Sequence, residues 1–356
     1  MRLTGKTLTV VTFLVAITFA FGCGSSSSKR ETASGTLTKG PIAGATVFTD
    51  CVDDDAEANF TIDDGEYQAL TNAEGRYSVR VPACDNGFVL VSEGGNEAGS
   101  DEEAPQMLAP SNAKNITPLT TLVALTPKAQ QADVIAAIKA LGADDFDDDI
   151  NAGATPAVQF LAQSIAAATK VITNAINTGL GTDLTAAQQT AAKAQIASIQ
   201  VTLAKNIAAQ VVTNTAAAAD KVAALNPTNL AAILKTATEK TADDVTADAS
   251  FSNITLTKAT VATAVDNVVA KVATAISVND GTFAADAIAD KVAESDIIDE
   301  TTKTTLNTAV TEETDNAAAG VTATPVEEFV RPEVPVTTPE PEEDPTGATG
   351  GAGTNV

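Results

Sequence analysis

The chain has 356 residues, a formal net charge of −25, and neither histidine nor tryptophan. The absence of histidine excludes a histidine-dependent catalytic triad, a CxxCH haem attachment and a Cys/His zinc site, because each of these needs an imidazole. The negative charge argues against DNA and RNA as partners, since a phosphate backbone requires a basic protein face. The composition therefore favours a protein that is not an enzyme and binds no nucleic acid.

A short apolar segment near the N-terminus has the layout of an export signal. Arg2 and Lys6 precede residues 8–21, which are apolar but too few to span a bilayer comfortably, and Cys23 follows almost directly. The cysteine is followed by Gly24 and a run of four serines. This arrangement resembles the lipobox of bacterial lipoproteins, in which the cysteine is lipidated and becomes the mature N-terminus.

The resemblance implies that residues 1–23 are a signal peptide ending in a lipobox and that Cys23 carries palmitate. In the lipoprotein family an aspartate after the cysteine often retains the product on the inner membrane, and Gly24 in that place implies the outer membrane. Residues 24–34 are then a polar tether. An uncleaved transmembrane anchor and an ordinary signal peptide are the alternatives, and both of them also export the chain.

Residues 35–110 consist of short segments rich in β-branched and aromatic residues, separated by Gly, Asn, Asp and Pro. This spacing predicts a small antiparallel β-sandwich. Apolar residues alternate with polar ones in the segment RYSVRV at 76–81, so one face of that strand is expected in the core. The residues predicted to form this core are Val47, Tyr77, Val79, Val81, Val89 and Val91.

Two stretches of this region are GPIAGATVFTD at 40–50 and TNAEGRYSV at 71–79. They are similar to the carboxypeptidase regulatory-like and Cna-B-like domains of secreted surface proteins. The resemblance implies a transthyretin-like β-sandwich that serves as a spacer, stalk or binding module and has no catalytic residues.

An acidic insert separates these two stretches, and in related surface domains such an insert binds calcium. Several carboxylates in one loop are chemically sufficient ligands for this ion. The candidate calcium ligands are Asp50, Asp53, Asp55, Asp63, Asp64 and Glu66. A solvated acidic loop without a cation is the alternative.

Cys51 and Cys84 remain once Cys23 is assigned to the lipid. An even pair of cysteines within one small domain of an exported protein predicts a disulfide. A redox-catalytic role is the weaker alternative, because the two cysteines do not form a CxxC motif.

Residues 112–320 are rich in alanine and threonine, with apolar residues at helical spacing. This pattern predicts an all-α domain of five to seven helices in an up-and-down bundle. The predicted helix starts, marked by a polar cap before proline or by a capping box, are Thr117, Thr126, Thr155, Thr185 and Asn226.

Two further segments have compositions typical of solvated chain. The acidic run DDFDDD at 144–149 predicts a solvated loop, with cation binding as the alternative. Residues 322–356 are rich in Pro, Glu, Thr and Gly, cannot bury enough apolar surface to fold, and are predicted to be disordered.

Together these patterns predict a multidomain α and β protein: a β-sandwich, then an Ala-rich helical bundle, then a disordered tail. The function they favour is that of a non-enzymatic cell-envelope lipoprotein acting as a structural, adhesion or partner-binding module. We expect it to be lipid-anchored in the outer membrane, facing the periplasm or the exterior, with an envelope or extracellular protein as partner. The alternatives are a binding subunit for a small apolar ligand and a histidine-independent hydrolase.

Overall fold

Short strands occupy the first third of the described chain and helices most of the rest, so the protein is mixed α and β. The computed structural model describes residues 31–52, 57–97, 103–150, 154–216, 218–276, 283, 287–288, 300–332 and 334–336. The proposed signal peptide and residues 337–356 lie outside these ranges.

The strands of the first region pair only in the antiparallel sense within the named elements. They are β1 (Thr32–Thr36), β2 (Ile42–Ala43), β3 (Thr46–Cys51), β4 (Glu57–Ala58), β5 (Gln68–Leu70), β6 (Arg76–Arg80), β7 (Phe88–Glu93), β8 (Asn96–Glu97) and β9 (Met107–Pro110). Four of them form a sheet in the order β5-β3-β7-β9, while β1 pairs with β6 and β2 with β8. Strand β9 is therefore an edge of the four-stranded sheet.

The predicted alternation along β6 is confirmed. Tyr77 and Val79 are buried, whereas the arginines and the serine that flank them are exposed. Val47, Val89 and Val91 are also fully buried, as the sequence predicted. Val81 differs because it lies just past the end of β6 and is only half-buried.

The helices begin after β9. They are α1 (Pro118–Ala124), α2 (Lys128–Ala140), α3 (Pro156–Leu180), α4 (Ala186–Thr215), α5 (Lys221–Ala224), α6 (Pro227–Ala247), α7 (Lys258–Ala275) and α8 (Glu300–Ala318). Helix α3 is buried along most of its length and packs against α4, α7 and α8. None of the helices in the described ranges has the length and apolar character that a membrane span requires.

Most of the predicted helix starts are confirmed by hydrogen bonds from the first turn. The residues whose side chains accept a backbone N–H there are Thr117, Thr155, Thr185 and Asn226. The prediction at Thr126 is wrong. Its hydroxyl donates back to the carbonyl of Leu122 at 2.7 Å, and Pro127 stands at the N-cap position of α2 without a side-chain hydrogen bond.

Buried apolar side chains of the strands and of the helices pack together in two clusters, and the larger one spans both regions. Val47 and Leu90 of the sheet share this larger cluster with Leu122 of α1 and Phe160 of α3. The change from strands to helices coincides with the predicted boundary near residue 111, but the core continues across it.

The free edge of β9 is closed by helix side chains instead of another strand. The N–H of Leu108 donates to Thr121 Oγ1 at 2.9 Å, and the hydroxyl of Thr120 donates to the carbonyl of Leu108 at 2.8 Å. The N–H of Gln106, just before the strand, donates to Gln200 Oε1 of α4 at 2.9 Å. Helices α1 and α4 therefore satisfy backbone groups that an open sheet edge would leave unpaired.

The C-terminal segment packs back onto both regions, which corrects two predictions. Strand β10 (Ile254–Leu256) pairs with β11 (Val321–Ala323), and β12 (Val334–Pro335) pairs with β4. The region predicted as all-α therefore contains a β-strand. The prediction of disorder from residue 322 onward is wrong for residues 322–332 and 334–336.

The ordering of this segment has a physical cause that its composition conceals. Strand pairing satisfies some of the backbone hydrogen-bonding groups of this segment. Its few large side chains contact residues that are distant in sequence. The ring of Phe329 lies 5.4 Å from that of Phe251, between centroids, and Val336 is buried beside the sheet. The predicted disorder of residues 337–356 concerns a part of the chain outside the described ranges.

The closure of the β9 edge can be tested with Thr121→Val, which keeps the shape of the side chain and removes its hydroxyl. We expect the free energy of unfolding in urea to fall by about 1–3 kcal/mol, because the buried N–H of Leu108 loses its acceptor. The matched control is Thr190→Val, whose hydroxyl is exposed on α4 and bonds to Ala186. This control should change stability by less than about 0.5 kcal/mol. Equal losses in the two variants would contradict the proposed closure.

Candidate functional site

The predicted disulfide is confirmed. The sulfur atoms of Cys51 and Cys84 lie 2.05 Å apart, with 5.5 Å between the Cα atoms. The bond joins the end of β3 to the loop that follows β6. Three other predicted site residues, Cys23, Asp53 and Asp55, lie outside the described ranges.

The described part of the acidic insert uses its carboxylates to shape the loop. Glu66 accepts the N–H of Cys51 at 2.6 Å with one oxygen and the N–H of Asp63 at 2.9 Å with the other. Asp63 accepts a side-chain N–H of Asn59 at 2.8 Å, and Asp64 is exposed. Across the described ranges no group of three or more Asp, Glu, Cys or His side chains is arranged to hold a metal. Calcium binding stays a prediction.

Asp50, the remaining predicted ligand, is a buried carboxyl group at the end of β3. It is only 1% exposed, and it accepts the N–H of Phe60 at 2.6 Å. The pKa of Asp50 is raised to about 7, and burial is the largest cause of this rise. The negative charges of Glu66 and Asp63 raise it further. The hydrogen bond from Phe60 and the positive charge of Arg331 act in the opposite direction. Burial dominates because a desolvated carboxylate is disfavoured more than one hydrogen bond can offset.

Arg331, which the sequence analysis missed, lies next to this carboxyl group. Its Nη1 donates to the carbonyl of Phe60 at 2.7 Å and to Gln106 Oε1 at 3.4 Å. Burial lowers the pKa of Arg331, and the negative charges of Glu93 and Asp50 oppose that shift. The available sequence signal was that Arg331 is the last basic residue of the chain, alone in an acidic tail.

Phe60 is held between these two side chains in a left-handed backbone conformation, with φ of 55°. Such a conformation is unfavourable for a bulky residue. Asp50 accepts its N–H and Arg331 donates to its carbonyl, so both polar groups of the residue are satisfied. The C-terminal segment therefore takes part in fixing the acidic insert.

A polar cavity of about 130 Å³ adjoins this cluster, between the end of β7 and helices α3 and α4. The charged and amide residues among those that line it include Glu93, Glu103, Gln106, Lys170, Lys193 and Gln200. Lys170 is 4% exposed, whereas Lys193 lies at the surface with its Nζ 3.9 Å from Glu103 Oε1. The cavity thus combines two cationic and two anionic side chains.

Gln106 connects the cavity to Arg331. Its side-chain amide orientation follows from the arginine, because the guanidinium can only donate and so faces Oε1. The other end of the amide, Nε2, is buried and has no hydrogen-bond partner in the part of the chain that the structure describes. Gln106 itself is 8% exposed.

A second depression of about 380 Å³ lies between α6 and α7. Small apolar side chains, among them Ala231 and Ala270, line it together with Val269, one of the residues buried in the core. Lys235 Nζ and Asp266 Oδ2 lie 3.8 Å apart at its edge. Because these two charges already face each other, the groove is chemically less distinctive than the polar cavity.

The second acidic cluster also serves the local structure. Asp148 Oδ2 accepts the N–H groups of Asp144 and Asp145 at 2.7 and 2.8 Å, which closes a turn. Asp147 is buried and accepts the N–H of Lys114 at 2.7 Å. The prediction of a solvated loop is therefore wrong at Asp147, whose carboxylate connects this loop to the segment before α1.

Comparisons with protein-family models, with curated proteins and with solved structures gave no match to this chain. The candidate site is accordingly described by its own geometry: a buried carboxyl group at Asp50, the half-buried guanidinium of Arg331, and a polar cavity that Gln106 joins to the guanidinium.

The raised pKa of Asp50 predicts a specific dependence of stability on pH. The folded protein keeps this proton up to about pH 7, whereas the ordinary value is 3.8. Protonated Asp50 therefore favours folding below about pH 4, and this stabilisation is lost as the pH rises through about 7. The full contribution of this protonation to the free energy of unfolding is on the order of 4 kcal/mol.

The variant Asp50→Asn retains an acceptor for Phe60 and cannot titrate. We expect the stability difference between Asp50→Asn and the wild type to change by several kcal/mol between about pH 4 and about pH 8, in urea denaturation series. The exposed Asp64→Asn serves as the control and should leave the wild-type profile unchanged. A profile for Asp50→Asn that parallels the wild type would contradict the assignment.

Proposed function

We propose that the protein is a non-enzymatic lipoprotein of the bacterial cell envelope, anchored in the outer membrane through Cys23 and acting as a structural, adhesion or partner-binding module. The observation that carries this proposal is the disulfide between Cys51 and Cys84. Disulfides persist in oxidising compartments, so the bond supports the export that the N-terminal sequence predicts.

The proposal includes the types of the two domains, a β-sandwich and a helical bundle. The antiparallel strands of the first region suit a transthyretin-like sandwich of the surface-module type, and the helices around α3 suit a bundle. Domains of these two types serve in structure or in binding without a catalytic centre. Calcium in the acidic insert would neutralise part of its negative charge.

Small-molecule binding is the second candidate function. The sequence analysis considered an apolar ligand, but the cavity beside Gln106 is lined by two acidic and two basic side chains. A polar ligand suits this lining better, because charged and amide side chains gain from oppositely charged or hydrogen-bonding partners.

Lipid attachment can be measured by feeding an alkyne analogue of palmitate to bacteria that express the full chain. We expect the wild type to be labelled and recovered with the outer-membrane fraction. Cys23→Ala should lose the label and leave that fraction, because the thiol that carries the lipid is gone. The matched control is Ser25→Ala, two residues away, which should behave like the wild type.

Two results would contradict the proposal. The first is undiminished labelling of Cys23→Ala, which would place the lipid elsewhere. The second is recovery of the wild-type chain from the cytoplasm with its initial methionine still present, which would show that the segment is not an export signal.

A further inference from the structure

Three segments of the chain match the acceptor sequence for N-linked glycosylation. This sequence is an asparagine followed two positions later by serine or threonine, with any residue except proline between them. The asparagines that meet it are Asn59, Asn115 and Asn253, whereas Asn226 is followed by Pro227 and does not. The modification belongs to exported proteins, so an inference from these segments rests on the export in the proposed function.

Asn115 is already used inside the fold. Its Oδ1 accepts the N–H of Thr36 at 3.0 Å and the hydroxyl of Thr36 at 2.6 Å. Thr117, the threonine of this acceptor sequence, is fully buried and caps the first turn of α1. Because a glycan is bulky and belongs at the surface, one at Asn115 would displace the segment that precedes α1.

Asn253 uses both N–H groups of its side-chain amide. Its Nδ2 donates to the carbonyl of Thr324 at 2.6 Å and to Gln195 Oε1 at 3.3 Å. Glycosylation replaces one of the two N–H groups of an asparagine amide by a bond to sugar. At Asn253 it would therefore break a hydrogen bond to α4 or to the C-terminal segment.

Asn59 lies where the chain leaves β4 for a loop at the surface. Residues 61–65 of this loop are all exposed. Nδ2 of Asn59 donates to Asp63 Oδ2 at 2.8 Å. Since the amide carries two N–H groups, a sugar can replace the other one and leave this hydrogen bond intact. The folded protein thus accommodates a glycan at Asn59 better than at the other two asparagines.

The hydroxyl group that this acceptor sequence requires is accessible as well. Thr61 is exposed, and its hydroxyl donates to Asn59 Oδ1 at 2.7 Å. Phe60, between these two residues, is only 1% exposed and packs into the smaller apolar cluster. A transferase that binds this segment needs Phe60 to be free, so transfer has to precede the packing of its ring.

The residue two positions before each asparagine also distinguishes Asn59. Glu57 stands there, whereas Asn115 and Asn253 are preceded at that distance by Ala113 and Phe251. Bacterial oligosaccharyltransferases favour an acidic residue at this position. The sequence and the accessibility of the loop therefore select the same asparagine.

We propose that Asn59 carries an N-linked oligosaccharide, transferred from a polyprenyl diphosphate donor to the exported chain before Phe60 packs. Nδ2 of Asn59 forms a bond to the anomeric carbon of the first sugar. The bond between that carbon and the diphosphate oxygen breaks, and polyprenyl diphosphate leaves with the electron pair. The proton lost from Nδ2 passes to a base of the transferase. The glycan would then cover the exposed loop, including Ile62, which is 43% exposed.

The test is mass spectrometry of tryptic peptides from the full chain, purified from the cells that produce it naturally. Lysine and arginine residues lie between the three asparagines, so trypsin places each asparagine in a different peptide. We expect the mass of an oligosaccharide on the peptide that contains Asn59. The peptides that contain Asn115 and Asn253 should be unmodified and serve as internal controls.

Thr61→Val and Thr61→Ser form a matched pair of variants. The first keeps the branched shape of the side chain and removes its hydroxyl, whereas the second keeps the hydroxyl. We expect the glycosylated fraction of Asn59 to fall at least about tenfold in Thr61→Val and to stay within about twofold of the wild type in Thr61→Ser. Circular dichroism would establish that both variants are folded.

Failure of this inference can be distinguished from failure of the proposed function. A wild-type chain that carries palmitate at Cys23 but has an unmodified Asn59 would overturn the inference and leave the lipoprotein proposal standing. Undiminished glycosylation in Thr61→Val, or a glycan on Asn115 or Asn253 instead, would overturn it too. Recovery of the chain from the cytoplasm would overturn both proposals.

Discussion

The structure depends on how the outer edge of strand β9 is closed. An unpaired sheet edge exposes backbone N–H and C=O groups, and burying them without partners would cost several kcal/mol. Here the hydroxyl groups of Thr120 and Thr121 bond to Leu108, and the side chain of Gln200 bonds to the N–H of Gln106. Because these partners come from helices α1 and α4, the sheet cannot be completed without the helical region. Leu108 also lies in an apolar cluster with Ala124 of α1 and Val201 of α4.

The candidate functional site lies at the polar part of the contact between the sheet and the helices. Gln106 bonds to α4 through its backbone and to Arg331 through its side chain, and it is one of the residues that line the cavity. Arg331 in turn supports the strained turn at Phe60, next to the buried carboxyl group of Asp50. A ligand in the cavity would therefore contact a residue that the sheet, the helices and the C-terminal segment all share.

The sequence predicted the local features well because local chemistry determines them. Caps such as Thr185 bond within one turn of their own helix, and the alternation around Tyr77 follows from the two-residue period of a strand. The C-terminal segment was not predictable in the same way. Arg331 and its partner Phe60 are 271 positions apart, and a composition rich in proline and glutamate gives no sign of such a contact. The closure of the β9 edge was not predictable for a similar reason. In the sequence, a helical threonine whose hydroxyl bonds to a strand is indistinguishable from any other helical threonine.

The most direct test of this account is whether the strands and the helices unfold together. Both tyrosines of the chain, Tyr67 and Tyr77, lie in the strand region, and there is no tryptophan. Tyrosine fluorescence therefore reports on the strands, while far-ultraviolet circular dichroism is dominated by the helices. In urea denaturation of the oxidised protein, we predict a single transition with the same midpoint by both probes. Two separate midpoints would contradict the account, because they would show that the helices fold without the sheet they close.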